Sequence, residues 1–417
     1  MNGSLSWQRK VLSNGLIMLQ YPRSSAMTAQ LSLTIKYGSN DDSKDTLGTA
    51  HFLEHMLAGG SRKRIKLHHE IERFGGYSNF ETTKDCTFSL VDVFPEKLSE
   101  ASKVLSGLLF DTAFERDKVE LERKVILNEI AEAYDDPRDK TAETLIKCLF
   151  KHHPVKNPIL GSKKTVKHIA LKELKRTHEI HYTPQNMILT LTGKFSSQDA
   201  ELLLKDFQDK ENVSSVSKKN RTNEESKPKK EVSMERSGIN QAYLSFGLRT
   251  PPAKHVDTPQ LDLVSAILGT GESSRLFVEL REKRALTYDF DIMNIAGLDY
   301  GYFYISCAAK TKSLKQTQTI VQDELEKIKT RPITRSELEK SKNLLLANIY
   351  RAMDSYGQLP RLLADVEICF EDENALRQYT DKIRLLCEKD ITKVANKYFQ
   401  ERNYATARLT PKKPEQK

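Results

Sequence analysis

The sequence is poor in cysteine and has no long run of apolar residues. Its 417 residues include five cysteines, which are scattered and never form a CxxC pair. This usage argues against a disulfide framework and a thiolate zinc site, and it favours a reducing compartment. The longest apolar runs are strand-sized, so none is predicted to span a bilayer. The N-terminus does not resemble a secretory signal. We therefore expect a cytoplasmic protein with no membrane partner.

The formal net charge is +9, and part of this positive charge lies in two local clusters. Residues 218–230 carry six Lys/Arg and two Glu, and a second basic cluster, SRKRIK, spans residues 61–66. Neither is accompanied by an aromatic-rich nucleic-acid module, so we interpret both as solvated surface and predict no nucleic-acid partner. A basic nucleic-acid-binding protein remains an alternative that only the charge supports.

Residues 205–235 are rich in Lys, Glu, Asn and Ser and poor in large apolar residues. Such a segment buries too little apolar surface to order itself. We predict an N-terminal domain at 1–208, a charged linker at 209–233 and a C-terminal domain at 234–417.

Both predicted halves contain strands interleaved with helix pairs. Asn14-Gly15 between apolar runs predicts a hairpin. In the first half we expect strands at 29–38, 88–94 and 187–193, and helices at 46–57, 96–110 and 115–134. In the second half we expect strands at 241–248 and 300–309, and helices at 258–268, 312–330 and 335–354. This order indicates an α+β protein of two related domains, each a mostly antiparallel sheet with helices packed on one face.

The stretch GTAHFLEHMLAGG, residues 48–60, has the spacing of half a metal site. His51 and His55 lie four residues apart, so on a helix they share one face. Zinc accepts imidazole nitrogens, and Glu54 is placed to face a water without binding the ion. The alternative without a metal is an ordinary helix with two buried or capping histidines. A third ligand is therefore needed before the motif indicates a metal site.

The helix at 115–134 offers three acidic candidates for that ligand: Glu122, Glu129 and Glu132. Glu122 and Glu129 lie seven residues apart, two turns along one face. A solvated acidic face is the more common reading of such a helix. Spacing alone does not choose among the three.

The chain resembles the pitrilysin/insulinase family of HxxEH zinc peptidases, of the two-domain type that includes mitochondrial processing peptidase. The resemblance begins with HFLEHM at 51–56 and the glutamate of ERKVILNEIAE, 74 residues after His55. It extends over nearly the whole chain, through segments at 74–90, 157–169, 181–193 and 268–288.

At the matching positions the resemblance implies a ligand set for one zinc ion per chain: His51, His55 and Glu129. It makes Glu54 the general base that takes a proton from a zinc-activated water. It makes Glu122 the carboxylate that orients a ligand histidine. An N₂O ligand set also tolerates Mn or Co.

The resemblance further implies a substrate-binding site. Asn79 matches the asparagine of an edge strand near 77–83, to which a peptide adds as a further strand. Arg281 and Tyr288 match a substrate-binding pair, with Tyr288 suited to stabilise the oxyanion. The alternative readings are a surface ion pair with Glu282 or Glu279 for Arg281, and a core-edge aromatic for Tyr288.

Two departures from the family pattern flank the expected cleft. Phe80 replaces the usual alanine after the edge-strand asparagine, and 58–61, Ala-Gly-Gly-Ser, replaces Phe-x-Gly-Thr. Both put substrate preference in doubt more than chemistry.

The resemblance also implies a chamber formed by paired chains. We expect a homodimer, or a heterodimer with a related subunit, that acts as an endopeptidase or oligopeptidase on peptides or unfolded segments. A catalytically silent structural subunit on the same fold is the alternative, although silent relatives usually lose the motif residues that stand here.

Overall fold

The computed structural model describes residues 5, 7–111, 113–211, 224, 228, 231–287 and 289–412. The first half of the chain contains β1 (Gln8–Val11), β2 (Ile17–Pro22), β3 (Ala29–Ile35), α1 (Thr49–Gly59), α2 (Arg62–Arg73), β4 (Tyr77–Thr82), β5 (Thr87–Val93), α3 (Leu98–Phe110), α4 (Arg116–Asp135), α5 (Pro137–Leu149), α6 (Lys163–His168), α7 (Leu171–His181), β6 (Met187–Gly193) and α8 (Ser197–Gln208). The second half contains β7 (Glu231–Arg236), β8 (Ala242–Arg249), α9 (Thr258–Gly269), β9 (Phe290–Ala296), β10 (Gly301–Ala309), α10 (Leu314–Thr330), α11 (Arg335–Asp354), α12 (Leu359–Phe370), α13 (Ala375–Leu385), α14 (Glu388–Tyr398) and β11 (Ala405–Pro411).

The first sheet has the strand order β1-β2-β6-β3-β5-β4. Among the strand pairs of the described residues, β2–β6 is parallel and the other four are antiparallel, so the sheet is mostly antiparallel, as expected. The predicted Asn14-Gly15 hairpin joins β1 to β2, and Gly15 takes a positive φ of 84°. β4 is an edge strand of this sheet.

Helices cover both faces of the first sheet. β3 is buried at every position, and its odd-numbered apolar residues belong to a core shared with α1, α3, α7 and α8. The opposite face presents buried polar residues, including Ser32 and Thr34, and α12 packs against β3 and β6. The prediction places helices on one face of the sheet, and the structure adds α12 on the opposite face.

The second sheet has the order β7-β11-β8-β10-β9, in which the described residues pair β7 with β11 in parallel and the other neighbours antiparallel. A separate core forms around α9, α10 and α14. The other face of this sheet meets α5, which packs on β8 and β11. The expected fold class, two mostly antiparallel sheets with packed helices, is confirmed.

By contacts, the chain divides into two compact units that do not follow sequence order. Unit 1 comprises Met1–Ala131, Asn157–Asn220 and Ala352–Leu376, and unit 2 comprises Glu132–Lys156, Arg221–Arg351 and Arg377–Lys417. Most of the predicted linker, 209–233, lies outside the described residues, as does most of the basic stretch 218–230. The domain bounds at 208 and 234 stay a prediction. Within the described part of the chain, no helix combines the length and apolarity needed to cross a membrane.

Candidate metal centre

The start of α1 is fixed by a buried carboxylate. Asp42 accepts hydrogen bonds from the Gly48 and Ala50 amides at 2.7 and 3.0 Å, and from the Tyr37 hydroxyl at 2.8 Å. Gly48 takes a φ of 96°, a conformation that disfavours other residues. Burial raises the pKa of Asp42 to about 7, although its three hydrogen bonds oppose that rise. The carboxylate pairs amides at the positive end of the helix dipole and so sets where the motif helix begins.

The structure brings His51, His55 and Glu129 together. Glu129 Oε2 lies 3.6 Å from His51 Nε2 and 3.3 Å from His55 Nε2. Their ligand atoms all lie within 4.8 Å of one another. Ligand atoms bound at about 2.0–2.2 Å to a tetrahedral ion lie about 3.3–3.6 Å apart. Both distances from Glu129 to a histidine are therefore those of co-ligands, and the two imidazoles and one carboxylate are a donor set that fits zinc.

Glu122 lies behind His55, one of the predicted ligands. Its Oε2 lies 3.0 Å from His55 Nδ1, so the imidazole donates there and turns Nε2 toward Glu129. A metal-binding histidine commonly donates its other ring N–H to a carboxylate. Gly59 makes this approach possible, because a Cβ at that position would overlap Glu122 Oε1 and lie 2.9 Å from Cδ. Glu132, the third candidate from spacing, is exposed.

The pKa values of the two histidines are shifted in opposite directions. Burial, and secondarily the neighbouring His55, lowers the pKa of His51 to about 3, so it is neutral and ready to bind a metal. Burial would also lower the pKa of His55, but the hydrogen bond to Glu122 and the charges of Glu129, Glu54 and Glu122 raise it overall. A metal ion therefore competes with a proton more strongly at His55 than at His51.

Glu54 is held by a residue that the sequence did not single out. Its Oε2 accepts a 2.7 Å hydrogen bond from Thr82 Oγ1 at the end of β4. Burial raises the pKa of Glu54, while the Thr82 hydrogen bond and the charge of His55 act against the rise. The sequence did contain a signal for Thr82, because it is the last residue of the NFET segment that begins with Asn79.

A cleft of about 420 Å³ opens beside these groups. Asn79 is exposed on β4 and lines it. The lining also includes Glu54, His55, Ala58, Gly59, Ile65, His68, His69, Ser78, Phe80 and Glu122. The departures noted at Ala58 and Phe80 both fall on this cleft.

The basic cluster at 61–66 is not simply a solvated face. Ser61 caps α2 by accepting the Arg64 amide at 3.2 Å. The Arg64 side chain is fully buried, and its Nη1 donates to the carbonyls of Leu57 and Leu108. For Arg64 the solvated interpretation is therefore wrong: its guanidinium satisfies carbonyls near the ends of α1 and α3.

The predicted substrate-binding pair is only partly described. Arg281 lies in a π-helical turn, Phe277–Glu282, with its guanidinium carbon 4.9 Å from the centre of the Phe277 ring. Glu279 pairs with Lys283 and Arg284. Tyr288 lies outside the described residues.

The chain matches the models of two known protein families. Residues 19–163, which include both histidines and Glu129, match the family described as Insulinase (Peptidase family M16). Residues 168–345 match its companion, the Peptidase M16 inactive domain. This chain belongs to the insulinase family.

Curated relatives within the insulinase family carry protease names. An uncharacterized zinc protease of Mycobacterium bovis is 25% identical over 414 residues, 98% of this chain and 94% of the relative. Zinc protease PqqE of Helicobacter pylori is 27% identical over 415 residues, 96% of this chain and 92% of the relative. The crystal structure of a protease from Helicobacter pylori has a TM-score of 0.89 at 24% identity, covering 97% of this chain and 99% of that one, and shows the shared fold.

Proposed function

We propose that this insulinase-family chain is a zinc-dependent peptidase that cleaves peptides or unfolded segments. The observation that carries the proposal is that Glu129 lies at the edge length of a zinc tetrahedron from both His51 and His55, with Glu54 beside them. Relatives named zinc proteases support it. We propose one zinc ion per chain, held by those three residues.

Bound zinc would supply Lewis acidity, which activates water and polarises a scissile carbonyl. Glu54 takes the proton of the attacking water and later delivers it to the leaving amine. Thr82 keeps one Glu54 oxygen engaged and so fixes the direction of the other. Glu122 holds His55 in the tautomer that presents Nε2.

The substrate reaches this site along β4. An exposed edge strand offers main-chain hydrogen bonds that make little demand on sequence. Asn79 lies on that strand, and the cleft side chains between β4 and α2 receive alternate substrate residues.

We retain Arg281 and Tyr288 as a proposed substrate-binding pair, acting on a zinc site of a second copy or related subunit. Mixing a Glu54→Gln chain with a Tyr288→Phe chain tests this. Activity above that of either parent supports action between chains, and no recovery contradicts it.

Metal analysis joined to a quenched-fluorescent peptide assay tests the function. We expect about one zinc per chain, loss of turnover on chelation and recovery with added Zn²⁺. Glu54→Gln should keep zinc and lose turnover by at least about 100-fold, since a general base contributes that much. Absence of zinc, or equal turnover by both chains, would favour the silent structural subunit instead.

A further inference from the structure

The last residues of β4 are held by an arginine of α12, on the face of the sheet opposite α1. Arg361 Nη1 donates to Glu81 Oε2 at 3.1 Å, and its guanidinium carbon lies 5.2 Å from the centre of the Phe88 ring. Glu81 and Phe88 are cross-strand partners in the β4–β5 register. Asp365, one turn further along α12, accepts from Arg361 Nε with both oxygens at 2.9 Å. The guanidinium is therefore fixed by its own helix and bridges one cross-strand pair.

The neighbouring residue on β4 serves the candidate active site. Adjacent strand residues point to opposite faces of a sheet, so Glu81 faces α12 and Thr82 faces α1. Thr82 donates to Glu54 at 2.7 Å. The same dipeptide is thus tied to Arg361 on one face and to the general base on the other.

We propose that Arg361 is a positioning residue for Glu54, acting through β4. This inference rests on the proposed peptidase function. β4 has a neighbouring strand on one side only, so side chains from other elements must hold its outer edge. Arg361 provides that hold where Thr82 must stay within hydrogen-bond distance of Glu54. Lysine is a poor substitute, because it lacks the planar fork that bonds two carboxylates while stacking on a ring.

The same helix supplies a matched control at the opposite edge of the sheet. Arg9 on β1 donates through Nε and Nη2 to the fully buried Glu367 of α12, each at 2.9 Å. Arg9 therefore joins α12 to the sheet as Arg361 does, but on the edge strand farthest from β4. Arg9→Lys keeps the charge beside Glu367 and removes the fork.

The experiment compares Arg361→Met, Arg361→Lys, Glu81→Gln and Arg9→Lys in the full chain. For each we would measure kcat and KM well below the melting temperature, zinc content, and hydrogen exchange of β4. We expect Arg361→Met to lower kcat on the order of tenfold, with zinc content unchanged and faster exchange in β4. Arg361→Lys should recover part of the loss, Glu81→Gln should follow Arg361→Met, and Arg9→Lys should retain wild-type kcat.

Two results would overturn the assignment: unchanged kcat in both Arg361→Met and Glu81→Gln, or an equal loss of kcat in Arg9→Lys. Glu81→Gln decides the case if Arg361→Met does not fold, because Glu81 is largely exposed and its change is isosteric. A wild-type chain without turnover would refute the peptidase proposal separately. Hydrogen exchange would then still test whether Arg361 holds β4. Faster exchange of β4 in Arg361→Met than in Arg9→Lys supports this role, and equal exchange in the two variants contradicts it.

Discussion

Replacing Gly59 by alanine should weaken zinc binding without weakening the fold. The added Cβ would overlap Glu122 Oε1 and lie 2.9 Å from Cδ, whereas ordinary contacts begin at 3.4 Å. The carboxylate must retreat by about 1 Å. Its 3.0 Å hydrogen bond to His55 would then stretch beyond hydrogen-bonding range. Losing such a partner typically costs about 10–100-fold in metal affinity.

The stability of the same variant should stay level or rise. Gly59 ends α1 without a positive φ, and Gly→Ala in a helix gains up to about 1 kcal/mol. The displaced group is the end of a flexible side chain, so the overlap is relieved cheaply. Competition with a chromophoric chelator would give the zinc affinity, and calorimetry the melting temperature.

Gly107→Ala is the matched control for this prediction. Gly107 lies within α3, and a Cβ there would meet only Leu67 Cδ1, at 3.1 Å. It should leave zinc affinity unchanged. Wild-type affinity in Gly59→Ala would refute our account of Glu122, and so would a loss of affinity that merely accompanies a lower melting temperature.

Two further changes test the supports of α1 and Glu54. Thr82→Val removes a hydrogen bond that lowers the pKa of Glu54, so the pKa of Glu54 should rise and the acid limb of the kcat/KM profile should move to higher pH. Thr82→Ser, which keeps the hydroxyl, should restore the wild-type profile. An acid limb that does not move in Thr82→Val would contradict this prediction. In Asp42→Asn, at least one group that donates to Asp42 would face the amide N–H₂ instead of an acceptor. We therefore expect a loss of about 1–3 kcal/mol in the free energy of unfolding, measured by denaturant titration. Zinc binding should also weaken, which chelator competition would measure. An unchanged unfolding midpoint would show that Asp42 does not fix the helix start.

Local patterns predicted much of the fold. The predicted strand at 187–193 coincides with β6, and the predicted helix at 335–354 coincides with α11. The sequence predicts that the motif helix begins at about residue 46, but it begins at Thr49, because Asp42 bonds the Gly48 and Ala50 amides and Gly48 is left-handed. That contact depends on a loop conformation, which periodicity does not report.

The candidate site was predictable to the extent that its residues share an element. His51 and His55 follow from helix spacing, whereas choosing Glu129 over Glu122 and Glu132 needed the family resemblance. Spacing on α4 does not show which carboxylate meets another helix. Thr82 was missed for a related reason, since its partner lies 28 residues away.

Contacts over still longer separations left no local pattern. Nothing near Arg361 predicts that it bonds Glu81, 280 residues earlier. Similarly, β3 alternates as a half-buried strand does, and only the packing of α12 shows that its polar face is covered. The buried Arg64 looked like surface charge because its partners are carbonyls, which every sequence contains.

The place of α12 in the chain sets the order in which this protein is completed during synthesis. Unit 1 takes its last segment from Ala352–Leu376, after all strands of the second sheet except β11 have been made. A nascent chain that ends at residue 220 therefore exposes the polar face of the first sheet, with Ser32 and Thr34 uncovered. Domains usually fold in turn from the N-terminus as they emerge. Here the N-terminal unit is complete only when its last segment, Ala352–Leu376, has been made, so an early stop near the centre of the chain deprives the half with the candidate zinc site of its own helix.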